Sequence, residues 1–519
     1  MLLALPARMT AADAFYTIDL SSPSVRANLE AQGGTVLDDG PDGSCCVRFT
    51  LPAGASDRRN LTAAIPLNVG PLQGARVALT ANIRGDGIIG LDPAKPLPGY
   101  LGGKCQLALE TANGRRWLDA RALHGTFDWR ESGTLGGVPD DASSASIRIG
   151  LENATGTIWL SNIRLRIVQP KVTRARPSEI ALQAVASAHT TLRGFMSPQT
   201  YREKDFADLQ TLNVNAVRWQ LYQRANDPTP YDTWFARELD DLDKALDGAA
   251  RHGLVLAVDL HSPPGGRLPD RTMRMLMEKP QADHFVAIWE EIARRFKGRP
   301  GLWAYNLVNE PVQNLPSPEG LDDWLALQVR AARAIRNIDP ITPIMIETDQ
   351  WSSPETFAWL KPVDVPGIIY QAHMYWPGEY THQGVRTGQG VADGKDTALQ
   401  AIPYPGELHG APFNKEALRR YLQPVRDFQL ATGAPIFIGE FSVIRWAPGG
   451  AQYLDDLISI FEEYGWNWTY HAFREWPGWS IEHADLPRDR DNHPPAIEPT
   501  ERMQVLKKWL SLNTRPPAP

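Results

Sequence analysis

The stretch "GLWAYNLVNEPV", residues 301–312, begins as an apolar run with the look of a buried strand and ends on Asn309, Glu310 and Pro311. Polar residues ahead of a proline are ordinary loop punctuation. They are equally what a strand tip aimed at a substrate would carry. The rest of the C-terminal half repeats the same pattern. Strand-like runs occur at 191–196, 215–222, 254–261, 302–310, 343–349, 367–376, 435–443 and 467–476, and helix-like runs such as "TWFARELDDLDKALDGAARHG" and "AQYLDDLISIFEEYG" lie between them. Apolar residues fall at helical spacing in these runs, and several stop at glycine (Gly253, Gly298, Gly433, Gly465). Eight strands alternating with eight helices predict a parallel (β/α)8 TIM barrel over residues 185–513. A doubly wound open sheet is the alternative, and it lacks a Gly-rich phosphate loop after the first strand.

The N-terminal half follows another rhythm. Residues 15–168 are short alternating segments separated by Gly, Pro, Asn and Asp. In "ASIRIGLENATGTIWLSNIRLRIV", Ile147, Ile149 and Leu151 alternate up to a turn, and Ile158, Leu160, Ile163, Leu165 and Ile167 alternate after it. This hairpin grammar predicts an all-β sandwich of antiparallel strands. Residues 169–184, with Pro170, Pro177 and the basic residues Lys171, Arg174 and Arg176, read as a linker. At 519 residues the chain exceeds one usual core, so two domains are expected.

A net charge of −7 gives no basic footprint for nucleic acid or an anionic membrane, and leaves a neutral substrate as the natural partner. No run approaches the roughly 18 to 20 apolar residues of a membrane span. Residues 1–14, "MLLALPARMTAADA", read either as the remnant of a secretion signal, implying a secreted or periplasmic protein, or as a disordered tail. Cys45, Cys46 and Cys105 show no zinc spacing or disulfide framework, and are read as three thiols or as one pairing with Cys105.

In a barrel of this kind, chemistry sits at the C-terminal strand ends. Those ends carry Arg218, His261, Asn309 with Glu310, Glu347 with Asp349, His373 with Tyr375, Glu440, and Glu475 with Trp476. Singly, each has a structural reading: a solvated carboxylate, a satisfied histidine, a buried ion pair or a core tryptophan. Together they converge on one rim, with Glu310 and Glu440 on strands that face each other. Paired carboxyl groups suit glycoside hydrolysis, where one acid protonates the leaving oxygen and the other carboxylate attacks carbon or activates water. That chemistry requires no metal or cofactor.

The motifs "LVNEP" and "IFIGEF" resemble the acid/base and nucleophile motifs of glycoside hydrolase family 5, a retaining family of (β/α)8 glycosidases. The resemblance spans roughly residues 185–512. It implies Glu310 as acid/base, Glu440 as nucleophile, Asn309 on the sugar 2-hydroxyl, and Arg218 and Tyr375 holding the nucleophile. His261 would contact sugar hydroxyls, His373 would support the acid/base, and Trp476 would floor the subsite. An oligo- or polysaccharide substrate follows, with endo-β-1,4-glucanase action as the first expectation and an exo-acting β-glycosidase as the alternative. In the exo reading the long loops 377–413 and 477–498 close a pocket. A glycan-binding protein that kept the barrel and lost the chemistry is the competing class, and transfer to a sugar instead of water uses the same residues. "THQG" (381–384) resembles a short motif of some bacterial cellulase-like members, and Trp351, Trp376, Trp446 and Trp479 are candidate stacking residues. The N-terminal sandwich resembles jelly-roll carbohydrate-binding modules through "TIWLSNIRL", with Trp117, Trp129 and Trp159 as its available tryptophans; a buttressing role is the alternative.

Overall fold

The computed structural model describes residues 15–54, 60–91, 101–111, 114–119, 123–173, 191–196, 200–385, 401–487 and 492–514. The expected leader or tail at 1–14, residues 174–184 of the linker, and parts of both long loops (386–400 and 488–491) lie outside the described residues. The chain divides into an N-terminal unit reaching to Thr173 and a C-terminal unit that holds the barrel strands.

Among its described residues the N-terminal unit has ten strands: β1 (Phe15–Thr17), β2 (Thr35–Leu37), β3 (Cys46–Leu51), β4 (Asn60–Leu67), β5 (Arg76–Gly90), β6 (Gly102–Thr111), β7 (Gly114–Asp119), β8 (Gly125–Gly137), β9 (Ser144–Glu152) and β10 (Ala154–Gln169). They form two antiparallel sheets. One is ordered β2-β3-β10-β5-β8 with β1 on β10, and the other β4-β9-β6-β7. Both sheets feed one core, in which Ile147, Ile149 and Leu151 of β9 meet Ile158, Leu160, Ile163 and Leu165 of β10. The odd step from Leu160 to Ile163 has a cause: the pairing of β10 with β5 slips between Ser161 and Arg164, and Asn162 takes a left-handed φ of 51°. A bulge there returns the apolar side chains to the core face. Trp159 lies under the Arg84 guanidinium at 4.4 Å, while Trp117 is 38% exposed. Cys45, Cys46 and Cys105 are free thiols.

In the C-terminal unit, β11 (Arg193–Met196), β12 (Ala216–Gln220), β13 (Val255–Asp259), β14 (Leu302–Asn306), β15 (Ile344–Glu347), β16 (Ile368–Met374), β19 (Ile436–Phe441) and β20 (Asn467–Tyr470) close into a barrel. Each pairs in parallel with its neighbours, and β20 returns to β11. A small hairpin, β17 (Gly406–Leu408) and β18 (Ala411–Phe413), interrupts the series. Among the described residues, the α-helices longer than one turn that pack around the wall are Glu203–Thr211, Tyr231–His252, Lys279–Phe296, Trp324–Arg336, Lys415–Thr432, Gly450–Tyr464 and Glu501–Leu510. Gly253, Gly433 and Gly465 end three of them in the left-handed conformation that glycine reaches without strain. After β15 the expected helix is a 3-10 turn, Pro354–Ala358, with Pro at its start.

The barrel interior is a packed layer, not a pore. Ala257, Ala304, Met345, Ile369 and Phe437 form a buried cluster inside it. Small residues on two strands leave room for the larger ones opposite.

Candidate active site

Every barrel strand after β11 stops earlier than its run in the sequence. β14 ends at Asn306, yet the N–H groups of Leu307 and Asn309 still bond to Met345 and Leu260 carbonyls at 3.2 Å each. The chain therefore stays extended until Glu310, whose φ of 49° turns it away from the wall. A non-glycine residue with positive φ is uncommon and concentrates at functional sites. The turn has a named support, for the Glu310 N–H donates to Glu347 Oε2 at 2.8 Å.

Glu440, near the end of β19, is buried and held at both oxygens. Arg218 Nη1 donates to its Oε1 at 2.7 Å, and Tyr375 Oη to its Oε2 at 2.9 Å. His471 Nδ1 lies 3.2 Å and His373 Nδ1 3.8 Å from Oε2. Burial works to raise the Glu440 pKa, but the N–H-bearing imidazoles of His373 and His471 and the Arg218 guanidinium outweigh it and hold the carboxyl well below the usual range. The Tyr375 phenol is pushed the other way, upward, by burial and then by the charge of Glu440, so it stays a donor.

Arg218 is fully buried and anchors the site. Nε donates to Asn306 Oδ1 and Nη2 to Asn309 Oδ1 and Glu347 Oε1, each at 2.8 Å, and Nη2 pairs with Asp259 Oδ1 at 3.0 Å. Burial disfavours its charge, and Asp259, Glu347 and Glu440 more than restore it. Three carboxylates around one guanidinium leave it no neutral option.

His373 stands between the two carboxylates. Its Nδ1 is 3.1 Å from Glu310 Oε1, and its Nε2 meets Gln371 Nε2 at 2.9 Å. His373 and Glu440 are register partners on β16 and β19, and the pairing shifts just before His373. Gly439 of "IFIGEF" has a steric reason: a Cβ there would fall on the Gln371 amide. One donor atom each from Glu310, His373 and Glu440 lie within 4.8 Å of one another. A cation could reach that set, but both Glu440 oxygens already have Arg218, Tyr375 and His471 as partners.

Asn309 is buried, with Oδ1 on Arg218 and Nδ2 3.2 Å from His261 Nε2. His261 is oriented from behind by Asp259 Oδ2 at 2.9 Å and lies edge-on to Tyr222. Trp476 packs edge-on against Trp479 at 5.2 Å, and Trp479 is the ring on the wall of a cavity of about 510 Å³ beside the two carboxylates. The cavity is also lined by Trp351, Trp376, Tyr421 and His382. Trp446 instead is buried with its Nε1 on the Gln383 carbonyl, a loop-packing role.

Several site groups escaped the sequence reading. Glu347, weighed as a solvated strand end, is fully buried: Oε1 accepts from Arg218, Asn306 and Gln371, and Oε2 from Glu310 N–H and Ser352 Oγ. Asp349 is buried as well. Ser352 is delivered by a left-handed turn in which Gln350, Trp351 and Ser352 all have positive φ. Glu475 is half-buried, with Oε2 on Gln220 Nε2 at 2.9 Å and on His471 Nε2 at 2.9 Å. His471 directly follows β20, so the strand-end rule finds it once the strand is ended at Tyr470.

Comparison with known proteins identifies the family of the chain. The family model "Cellulase (glycosyl hydrolase family 5)" matches residues 180–475. Endoglucanase C of Acetivibrio thermocellus is 30% identical over 253 residues, covering 45% of this chain and 72% of that protein. Cellodextrinase A of Ruminococcus flavefaciens is 21% identical over 243 residues, covering 45% of this chain and 67% of that protein. The solved structure of Thermotoga maritima Cel5A with cellobiose is 21% identical and covers 61% of this chain and 97% of that one, at a TM-score of 0.46. Because the family model matches more than half of the chain, the chain belongs to glycosyl hydrolase family 5 and is a glycoside hydrolase.

Proposed function

We propose that the chain is an endo-β-1,4-glucanase in which Glu440 is the nucleophile and Glu310 the general acid/base. The observation that carries this reading is the approach of Glu310 and Glu440 oxygens to within 4.8 Å, against about 5 to 5.5 Å between carboxyl groups in retaining glycosidases and about 6.5 to 9.5 Å in inverting ones. Glu440 Oε attacks the anomeric carbon while Glu310 passes its proton to the departing glycosidic oxygen. Glu310, now a carboxylate, takes a proton from water, which displaces Glu440 and releases a sugar of retained configuration. Arg218 and Tyr375 keep the attacking carboxylate ionised and aimed. Asn309, fixed by Arg218 and His261, would meet the sugar 2-hydroxyl, and His373 would orient Glu310. His261 would meet sugar hydroxyls, and the tryptophan floor assigned to Trp476 would be shared with Trp479.

The endo reading is supported by the likeness to Endoglucanase C. An exo-acting reading draws on the likeness to Cellodextrinase A and, at 23% identity, to a beta-xylosidase of Phanerodontia chrysosporium. The two readings separate on a soluble β-1,4-glucan: endo cleavage collapses viscosity early relative to new reducing ends, whereas exo cleavage leaves viscosity high. Glu440→Gln abolishes turnover if the chain is an enzyme of this mechanism, and binding without turnover in the native chain would mark a glycan-binding protein. A polysaccharide substrate fits a secreted or periplasmic setting, and no helix among the described residues is long and apolar enough to cross a membrane.

A further inference from the structure

One imidazole at the barrel mouth has a carboxylate on each side. His471 Nδ1 lies 3.2 Å from Glu440 Oε2 and hydrogen-bonds Tyr375 Oη, while its Nε2 lies 2.9 Å from Glu475 Oε2. The ring is fixed by its backbone, since the His471 N–H donates to the Phe441 carbonyl, one residue beyond Glu440, at 3.1 Å. Glu475 in turn is pinned by Gln220 Nε2 at 2.9 Å from β12.

A neutral imidazole has one N–H and one lone pair. Placed here, it would turn that lone pair toward one of the carboxylates or toward Tyr375, whose own proton goes to Glu440. With both nitrogens protonated every contact is a donor–acceptor match. Nε2–H then points to Glu475, and Nδ1–H to Tyr375 Oη and Glu440.

We propose that His471 is a positioning residue, held as an imidazolium between Glu440 and Glu475, and that Glu475 is the group that keeps the charge there. Because it assigns the charge to the service of Glu440, the proposal rests on Glu440 being the nucleophile. The imidazolium supplies Glu440 Oε2 with a second cation, complementary to Arg218 on Oε1. It also polarises the Tyr375 hydroxyl that donates to the same oxygen. Glu475 touches neither Glu440 nor the reacting atoms and acts through the ring.

The surroundings agree. Burial disfavours a charged His471, but Glu475 and then Glu440 push its pKa up to about 10. Among the described residues, the titratable groups in direct contact with the ring are Glu440 from β19, Tyr375 beyond β16 and Glu475 beyond β20, and Glu310, His373 and His382 line the same cavity. His373 Nδ1 approaches the same Glu440 oxygen at 3.8 Å, and Arg218 holds the other. Trp479 covers one side at 6.1 Å between ring centroids.

The test uses the full chain and two readouts. Long-range 1H–15N NMR of the imidazole nitrogens reports the charge directly and does not depend on turnover. In the native protein His471 is expected to stay protonated through neutral pH, and in Glu475→Gln it is expected to titrate nearer the ordinary imidazole value of about 6.5. Kinetics on an aryl β-cellobioside then reads the consequence. Glu475→Gln is expected to lower kcat increasingly as pH rises, the deficit growing by about tenfold between about pH 5.5 and 8.5, with KM little moved. A native His471 that titrates near 6.5 overturns the proposal, and the NMR titration needs no variant to show it. A kcat deficit that is the same at every pH, or shared with KM, also overturns it, because Glu475 would then only hold the loop. If the native chain hydrolyses no glycoside while the NMR titration comes out as expected, the nucleophile assignment fails and the charged ring stands.

Discussion

The carboxylate of Glu347 accepts the backbone N–H of Glu310 at 2.8 Å through one oxygen and the Arg218 guanidinium at 2.8 Å through the other. A single buried side chain thus ties the turn that presents one carboxylate to the cation that holds the other. Loss of that charge is expected to be costly in both stability and rate. Glu347→Gln keeps the shape, removes the ion pair with Arg218 and turns an N–H donor toward groups that need an acceptor. A drop of about 3 to 5 kcal/mol is expected, the range for breaking a buried pair from one side. Urea denaturation at neutral pH measures it, and a loss under about 1 kcal/mol, the level of an exposed pair, would contradict the assignment.

Tyr375→Phe removes one hydrogen bond to Glu440 and leaves the Arg218 contact in place. Hydrogen bonds to charged groups contribute about 1.5 to 3 kcal/mol, so kcat/KM is expected to fall roughly 10- to 150-fold. The check is steady-state kinetics on an aryl glycoside, with circular dichroism to confirm that the fold is kept.

Acid sensitivity follows from the depressed pKa of Glu440. The folded carboxyl titrates below its unfolded value of about 4.3, so its contribution is fully present above that pH. It is lost as pH falls through the lower, folded pKa, because protonation breaks the pairing with Arg218 and His471. The native chain is therefore expected to lose more unfolding free energy between about pH 6 and 3 than Glu440→Gln, whose side chain does not titrate. Parallel losses in the two proteins would contradict it.

Trp351 is 43% exposed, lines the cavity, and is carried on the left-handed turn that also delivers Ser352 to Glu347. Trp351→Ala is expected to lower kcat/KM on a long β-glucan by about fivefold or more, near 1 kcal/mol of aromatic contact, and to change turnover of a short aryl glycoside far less. Equal losses on both substrates would place the ring in the support of Glu347 instead of on the sugar chain.

The barrel was legible because eight buried strands and their helices impose two distinct periodicities, and the strand-end rule then picks out Glu310, Glu440, Arg218 and His373. What it missed has physical reasons. Asn306 and Asp259 are the last residues of their strands, hidden inside runs that read as apolar. Glu347 and Glu475 looked like solvated loop acids, since a sequence does not show that Arg218, Asn306, Gln371 and Ser352 converge on the first, or Gln220 and His471 on the second. His471 was passed over because the last strand was read through to Trp476, when the ladder stops at Tyr470. The β10 bulge at Asn162 was equally invisible, its cost and benefit both lying in the pairing with β5.

The central claim is double displacement between Glu310 and Glu440, and the configuration of the first product tests it most directly. Proton NMR of a β-glucan digest, read before mutarotation sets in, is expected to show the β-anomer appearing first. An initial α-anomer would mean a single inverting displacement and would contradict the account.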